Sequence, residues 1–254
     1  STEYLSNHRK LVTIHSNGQS ADGLAKATAV ETALVYPMLF NRPPAPLMAK
    51  HGFGSHGVFE LVVNPNGLGT AAPLSLWSDA VVTLLGTDRH SCIFSEFNSG
   101  NCSTNTYSDD SNKLADIADA STSFPADLLS YLFNIPSADW QQIQQQSDLV
   151  LTDCDTLDIA SWGVIWVNGD CDVSASTQIG HDSDPIILII CDGNVTFQND
   201  VVMYGLLFAF KPSGSTKKLD ISMQTDSAVL GAVVANYQLV SSSSLILVSY
   251  IHLT

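Results

Sequence analysis

Basic residues are scarce in this chain of 254 residues: Lys and Arg number 10 against 25 Asp and Glu, a formal net charge of −15. Every phosphate contact would be made against that field, which argues against nucleic acid and anionic membrane as electrostatic partners. Glutamate is nearly missing too, confined to Glu3, Glu31, Glu60 and Glu96, so the acid is mostly aspartate, a turn former rather than a helix former. No run of about 20 apolar residues is present, so no stretch reads as a membrane-spanning helix, and the first residues lack a signal-peptide pattern. The chain begins at Ser1, as expected of a mature form or of a fragment whose targeting segment has been removed. CxxC, GxSxG, P-loop and HExxH patterns are all missing. No enzyme is indicated, and no cofactor.

What is present is apolar and repetitive. A hydrophobic content of 45% describes a folded protein, and aspartate-rich turns favour a mainly β one. From Ser161 onward, units open on a short apolar run, turn at an Asn/Asp/Gly/Ser cluster, resume in small alternating residues and close on Gly180, Gly205 or Gly231. Those glycines recur about every 25 residues, a period that marks solenoids. The runs Val164–Val167, Ile186–Ile190, Leu206–Phe210 and Ala232–Ala235 are almost continuously hydrophobic, as strands covered on both faces are. Segments such as Asn194–Phe197 and Leu219–Met223 alternate with period two. No unit can bury its own apolar side, so the units must stack. The expected fold is a right-handed β-helix, or β-solenoid, and the glycine register favours it over a β-sandwich.

The rest of the chain divides around that repeat. Arg9–Ser16 and Lys26–Tyr36 read as strands joined by a turn over Asn17–Gly23. Asn41–Pro46 holds three prolines and reads as a stiff linker, which sets an N-terminal arm, residues 1–45, apart from a main body, residues 46–254. Short apolar strands resume from Leu47, so the solenoid is expected to begin there. A helical insertion interrupts it over residues 114–148, with one helix near Phe124–Phe133 capped by Ser123 and a second over Ser137–Gln146 capped by Ser137. It is expected to pack on the flank or end of the stack and cover an edge.

Five cysteines are candidates for covalent structure. Cys92 and Cys102 flank a polar loop, and Cys154 and Cys171 bracket the entry to the repeat; each pair can close a disulfide, which points to an oxidising, extracytoplasmic location. Cys191 ends an apolar strand and reads as a buried free thiol. No metal site is expected. His51 and His56 lack further ligands nearby, and the groups Asp109/Asp110, Asp153/Asp155/Asp158 and Asp182/Asp184 lack the spacing of a calcium loop. β-Helices that cleave polysaccharides use paired carboxylates, for which Asp170, Asp172 and Asp192 are the candidates; a protein that binds or cleaves a surface glycan is therefore the alternative to a structural one.

Val58–Gly67 with Ala72–Ser78, Asp153–Cys154 with Ser161–Cys171, and the runs Pro185–Ile190, Tyr204–Phe208 and Gly231–Ala235 resemble PilX-like proteins associated with type IV pili. The resemblance extends roughly from Ala45 to the end. It implies a right-handed β-helix-like region, a disulfide Cys154–Cys171 closing its first turn, and an N-terminal hydrophobic helix that anchors such proteins in the membrane. That helix is not in this sequence. The chain then corresponds to a soluble ectodomain, with Ser1–Phe40 the remnant of a pilin-like module, and pilus subunits or other surface proteins as partners. The tail departs from the usual polar ending: Leu245, Leu247, Tyr250, Ile251 and Leu253 form an apolar strand expected either to cap the last turn or to dock a partner.

Overall fold

A computed structural model of the chain describes residues 2–4, 10–35, 39–55, 59–63, 74–84, 89–100, 102, 107–108, 113–241 and 245–249. The protein is mainly β, 42% strand and 10% helix. It divides into two compact units, Ser1–Phe40 and Asn41–Thr254.

The first unit is an antiparallel sheet of β1 (Thr2–Tyr4), β2 (Lys10–Gln19) and β3 (Lys26–Val35), in that order. The β2 strand outruns the sequence expectation because Asn17 stays in the ladder: it faces Thr28 and accepts a hydrogen bond from the Thr28 hydroxyl at 2.8 Å. The turn starts only at Ser20, whose hydroxyl accepts from the Ala25 amide at 2.9 Å.

The second unit begins inside the proline segment rather than after it. Ala45 and Pro46 are buried, and the Pro46 carbonyl accepts a bond from the Val233 amide at 2.8 Å. The end of the proline segment thus belongs to the body. The elements in chain order are β4 (Leu47–Ala49), β5 (Phe53–Ser55), β6 (Phe59–Val63), β7 (Leu76–Ser78), β8 (Val82–Leu84), β9 (Arg89–Ile93) and α1 (Phe94–Asn98). Then come β10 (Ile117–Ala118), α2 (Leu128–Phe133), α3 (Gln141–Gln146), β11 (Leu149–Leu151), β12 (Val164–Asn168), β13 (Cys171–Val173), β14 (Gln178–Ile179), β15 (Ile186–Cys191) and β16 (Val195–Phe197). The last are β17 (Val202–Phe210), β18 (Ile221–Met223), β19 (Ala228–Ala235), β20 (Leu239–Ser241) and β21 (Leu245–Val248).

Among the described residues all strand pairs of this unit are parallel, and they fall into three sets. The first runs β11-β12-β15-β17-β19-β4-β7-β10. The second is made of two separate three-stranded sheets, β13-β16-β18 and β20-β5-β8, with no pairing between them among the described residues. The third joins β14 to the first half of β17, and the first half of β19 to β21, β6 and β9. The spatial order is not the chain order. Residues 47–118 were expected to precede the repeat; instead β4 stacks on β19, so the first-made strands lie beyond the last-made ones.

Side chains alternate across each strand, and the register carries that alternation through the ladder. Ile165, Leu188, Leu207, Val233, Leu47, Leu76 and Ile117 stand opposite one another in turn and join one hydrophobic cluster with Phe197, Met223, Phe53 and Leu247 from the other ladders. The alternate row is Trp166, Ile189, Phe208, Val234, Met48 and Trp77. It would face water, but the segment between β10 and β11 lies over it. Phe124 and Tyr131 meet Trp77 edge-on at 5.2 and 6.2 Å, Phe133 meets Phe208 at 6.1 Å, and Trp140 stacks on Trp166 at 5.3 Å with 7° between the rings. Both faces of these strands are therefore covered, which is why their sequences run apolar without interruption.

That segment covers a sheet face, not the edge expected of it, and it returns the chain along the ladder from β7 to β12. Its caps also differ from expectation. Asp127, not Ser123, caps α2, accepting from the Ser130 amide at 3.0 Å. Ser137 caps nothing: its amide and hydroxyl both donate to Asp127, at 2.8 and 2.6 Å. Burial pushes the Asp127 carboxyl up, but the bonds from Ser137 and Ser130 outweigh it and hold the group below the ordinary carboxylate range. One carboxylate thus fixes the corner between both helical stretches. Among the described residues no helix is long and apolar enough to cross a membrane.

Candidate functional site

The aspartates that were candidate acid and base are spent on the corners between ladders. Asp170 accepts from the Asn194 amide at 2.8 Å, and Asn194 in turn accepts from the Asp220 amide at 3.0 Å. Asp172 accepts from Gln198 at 3.0 Å. Asp192 accepts from the Ser215 hydroxyl and pairs with Lys217 at 3.4 Å. Each of these contacts joins segments 23–26 residues apart. Cys191, beside Asp192, is a buried free thiol; burial pushes it up to about 11, and the Asp192 charge acts the same way. A thiol held that high has little thiolate at neutral pH and makes a poor nucleophile.

Among the described residues no three His, Cys, Asp or Glu side chains are grouped so as to hold a metal ion. His51 lies exposed beside Asp79, 3.9 Å from its carboxylate, while His56, Asp109 and Asp110 fall outside the described residues. Gly52, Gly54 and Gly57 match the glycine spacing of dinucleotide sites, but Phe53–Ser55 is itself the strand β5, with no strand-to-helix turn there among the described residues.

The hydrophobic core is capped differently near the two ends of the first ladder. Near β10, Ser91 donates to Asp116 at 2.5 Å, and Asp116 also accepts from the Ser108 amide and hydroxyl at 3.0 and 2.7 Å, a buried polar knot. The other end is closed by residues 152–163. Cys154 and Leu157 enter the hydrophobic cluster, the disulfide Cys154–Cys171 ties the loop to β13, and the Asp158 carbonyl accepts from the Gly180 amide at 3.0 Å. Cys92–Cys102 is the second disulfide. Two disulfides fit an oxidising compartment.

Replacing Cys154 and Cys171 together by serine is expected to lower the unfolding free energy by about 3 kcal/mol, the entropy of closing a loop of this length. Urea denaturation of the oxidised protein and the double variant measures it. A difference below about 0.5 kcal/mol, the ordinary effect of a surface substitution, would mean that the end loop is held without its disulfide.

Outside this closure the surface is apolar and open. Leu149, Val150, Ile159 and Trp162 are 43%, 48%, 55% and 61% exposed. A shallow recess of about 270 Å³ lies there, lined by Asp148, Leu149, Asp158, Ala160, Ser161, Trp162 and Ile165. Asp148 accepts from the Val164 amide at 2.8 Å, and Asp158 from the Ala160 amide at 2.9 Å, so both carboxylates are oriented by backbone. Sequence reasoning missed this patch although its residues lie close together in the chain, because the aspartate-rich stretch 152–163 reads as a polar turn; the one signal was a pair of bulky residues, Ile159 and Trp162, exposed within it.

The expected docking strand lies elsewhere. β21 is paired on both edges, with β19 and with β6, and Leu247 is fully buried. A partner strand finds no free edge on Leu245–Val248; Tyr250, Ile251 and Leu253 lie outside the described residues. No protein-family model matches the chain, and no curated protein matches it.

Proposed function

We propose that the second unit is a right-handed β-solenoid of three faces and that the protein is a non-enzymatic, extracytoplasmic scaffold, an accessory of a type IV pilus that supports assembly or adhesion. The observation that carries this is the unbroken first ladder of eight parallel strands. At about 4.8 Å per strand it measures roughly 34 Å, and right-handed crossovers are the rule for parallel strands. A ladder covered by helices on its outer face, with its core capped near both terminal strands, is a rigid spacer, suited to holding a surface at a set distance. The aspartates that a glycan-cleaving site would need are committed to layer-to-layer bonds, which favours a scaffold over a hydrolase. The resemblance to PilX-like proteins supplies the pilus and the cell surface as the setting.

The test is made in the source cell. The protein is expected in the fraction of pili sheared from the surface, and deleting its gene is expected to reduce piliation or adhesion. Unchanged pili and adhesion, with the protein absent from that fraction, would overturn the pilus assignment.

A further inference from the structure

We infer that the open edge of β11 is a docking site for an extended segment of a partner protein in which Lys or Arg alternates with apolar residues. β11 ends the first ladder. It pairs with β12, and among the described residues no strand lies on its other side. In a parallel ladder, alternate N–H and C=O groups of such a strand point away from its neighbour and are free to pair. An added strand would continue the rows already built: Val150 stands opposite Trp166 in the outward row, and Leu149 opposite Ile165 in the inward one. Leu149, Val150 and Trp162 give apolar contact at that edge, and Trp162, at 61% exposed, is the anchor.

The charge of the chain fixes the occupant. From Leu114 to Phe210 there is no Lys or Arg and there are fourteen Asp. Asp148 and Asp158 line the recess beside the edge, and Asp153 and Asp155 lie exposed on the same loop. Among the described residues none of these four pairs with a basic side chain. A second copy would bring the same field against itself, whereas a basic segment is drawn to it. Main-chain pairing would give affinity and the alternating side chains specificity. This partner chemistry rests on the scaffold reading, since it names what the scaffold would hold.

The test uses the full chain and a labelled hexapeptide alternating lysine and valine, followed by fluorescence anisotropy and by hydrogen exchange of the Leu149–Leu151 amides. Binding with protection of those amides is expected. Affinity should fall about tenfold or more when glutamate replaces lysine, when the peptide backbone is N-methylated, and in the variants Trp162→Ala and Val150→Lys. Both residues are exposed, so these variants should melt as the parent does. Equal binding of the N-methylated peptide would reduce the effect to a diffuse acidic field and overturn the site. So would protection elsewhere, an unaffected Trp162→Ala, or concentration-dependent self-association that protects the same amides, which would make a second copy the occupant. Failure here leaves the pilus test standing, because that test depends on where the protein is found and not on this edge.

Discussion

Gly205→Ala is expected to destabilise the protein by about 4 kcal/mol, among the largest effects a single methyl group can have. β17 serves two ladders: Val202 and Met203 pair with β14, while Gly205–Phe210 pair with β15. The strand must turn a corner at Gly205, where φ is +133°, and an L side chain is strained there. Space is the second obstacle. A Cβ at Gly205 would lie 1.9 Å from the Ile186 carbonyl oxygen and 2.7 Å from its nitrogen. Those are backbone atoms of the neighbouring strand, so no change of rotamer relieves the clash, and moving either strand breaks the register of both ladders. Gly231 stacks directly on Gly205, and a Cβ there would lie 1.8 Å from the Gly205 carbonyl oxygen. The contrast is Gly54→Ala, in β5, where an added Cβ meets nothing within 4 Å. That variant is expected within about 0.5 kcal/mol of the parent. Urea denaturation of the three proteins decides it; a Gly205→Ala loss no larger than that of Gly54→Ala would show that the corner does not depend on glycine.

The corner glycines show what was legible. Gly180, Gly205 and Gly231 were visible as a period; at Gly205 and Gly231 the backbone of the neighbouring strand comes too close for a Cβ, and at Gly180 φ is +68°. The apolar runs Val164–Val167 and Ile186–Ile190 were read as strands covered on both faces, and they are. The cysteine pairs Cys92/Cys102 and Cys154/Cys171 were read from their loops. The order of the layers was not legible. A period reports the length of chain in one layer and is silent on which layer meets which, so nothing in Leu47–Ala49 announces that it pairs with Val233–Ala235. The pairing depends on the return of the chain through α2 and α3, and that depends on rings far apart in sequence. The candidate site was hidden for another reason: Val150 and Trp162 are near neighbours in sequence but form a surface only because residues 152–163 fold back over the end of the core. Local chemistry misled in smaller ways. Ser123 and Ser137 have the right type for helix caps, yet Asp127 satisfies the amides of both stretches from one position.

Trp166→Ala is expected to cost about 3–5 kcal/mol, the range for emptying a large aromatic from a packed interior. Trp166 is fully buried, and its indole N–H donates to Asn168 at 2.9 Å. It packs against Phe210 at 6.1 Å and lies flat against Trp140 from the returning segment. Trp140 is only half-buried, so Trp140→Ala should cost less, and a double-mutant cycle between them should give a coupling of about 0.5–1.5 kcal/mol for the stacked rings. The variants also test whether the helical cover belongs to the same cooperative unit as the ladder. If it does, circular dichroism and tryptophan emission of Trp166→Ala shift together in a single transition at lower denaturant. The shared row of Phe133 on Phe208 and Trp140 on Trp166 favours this, because Trp166, Ile189 and Phe208 stand in one register and a cover lifted from one of them exposes the next. Loss of helical signal well before the strands unfold would overturn it and make the return segment a separable flap over an independently stable ladder.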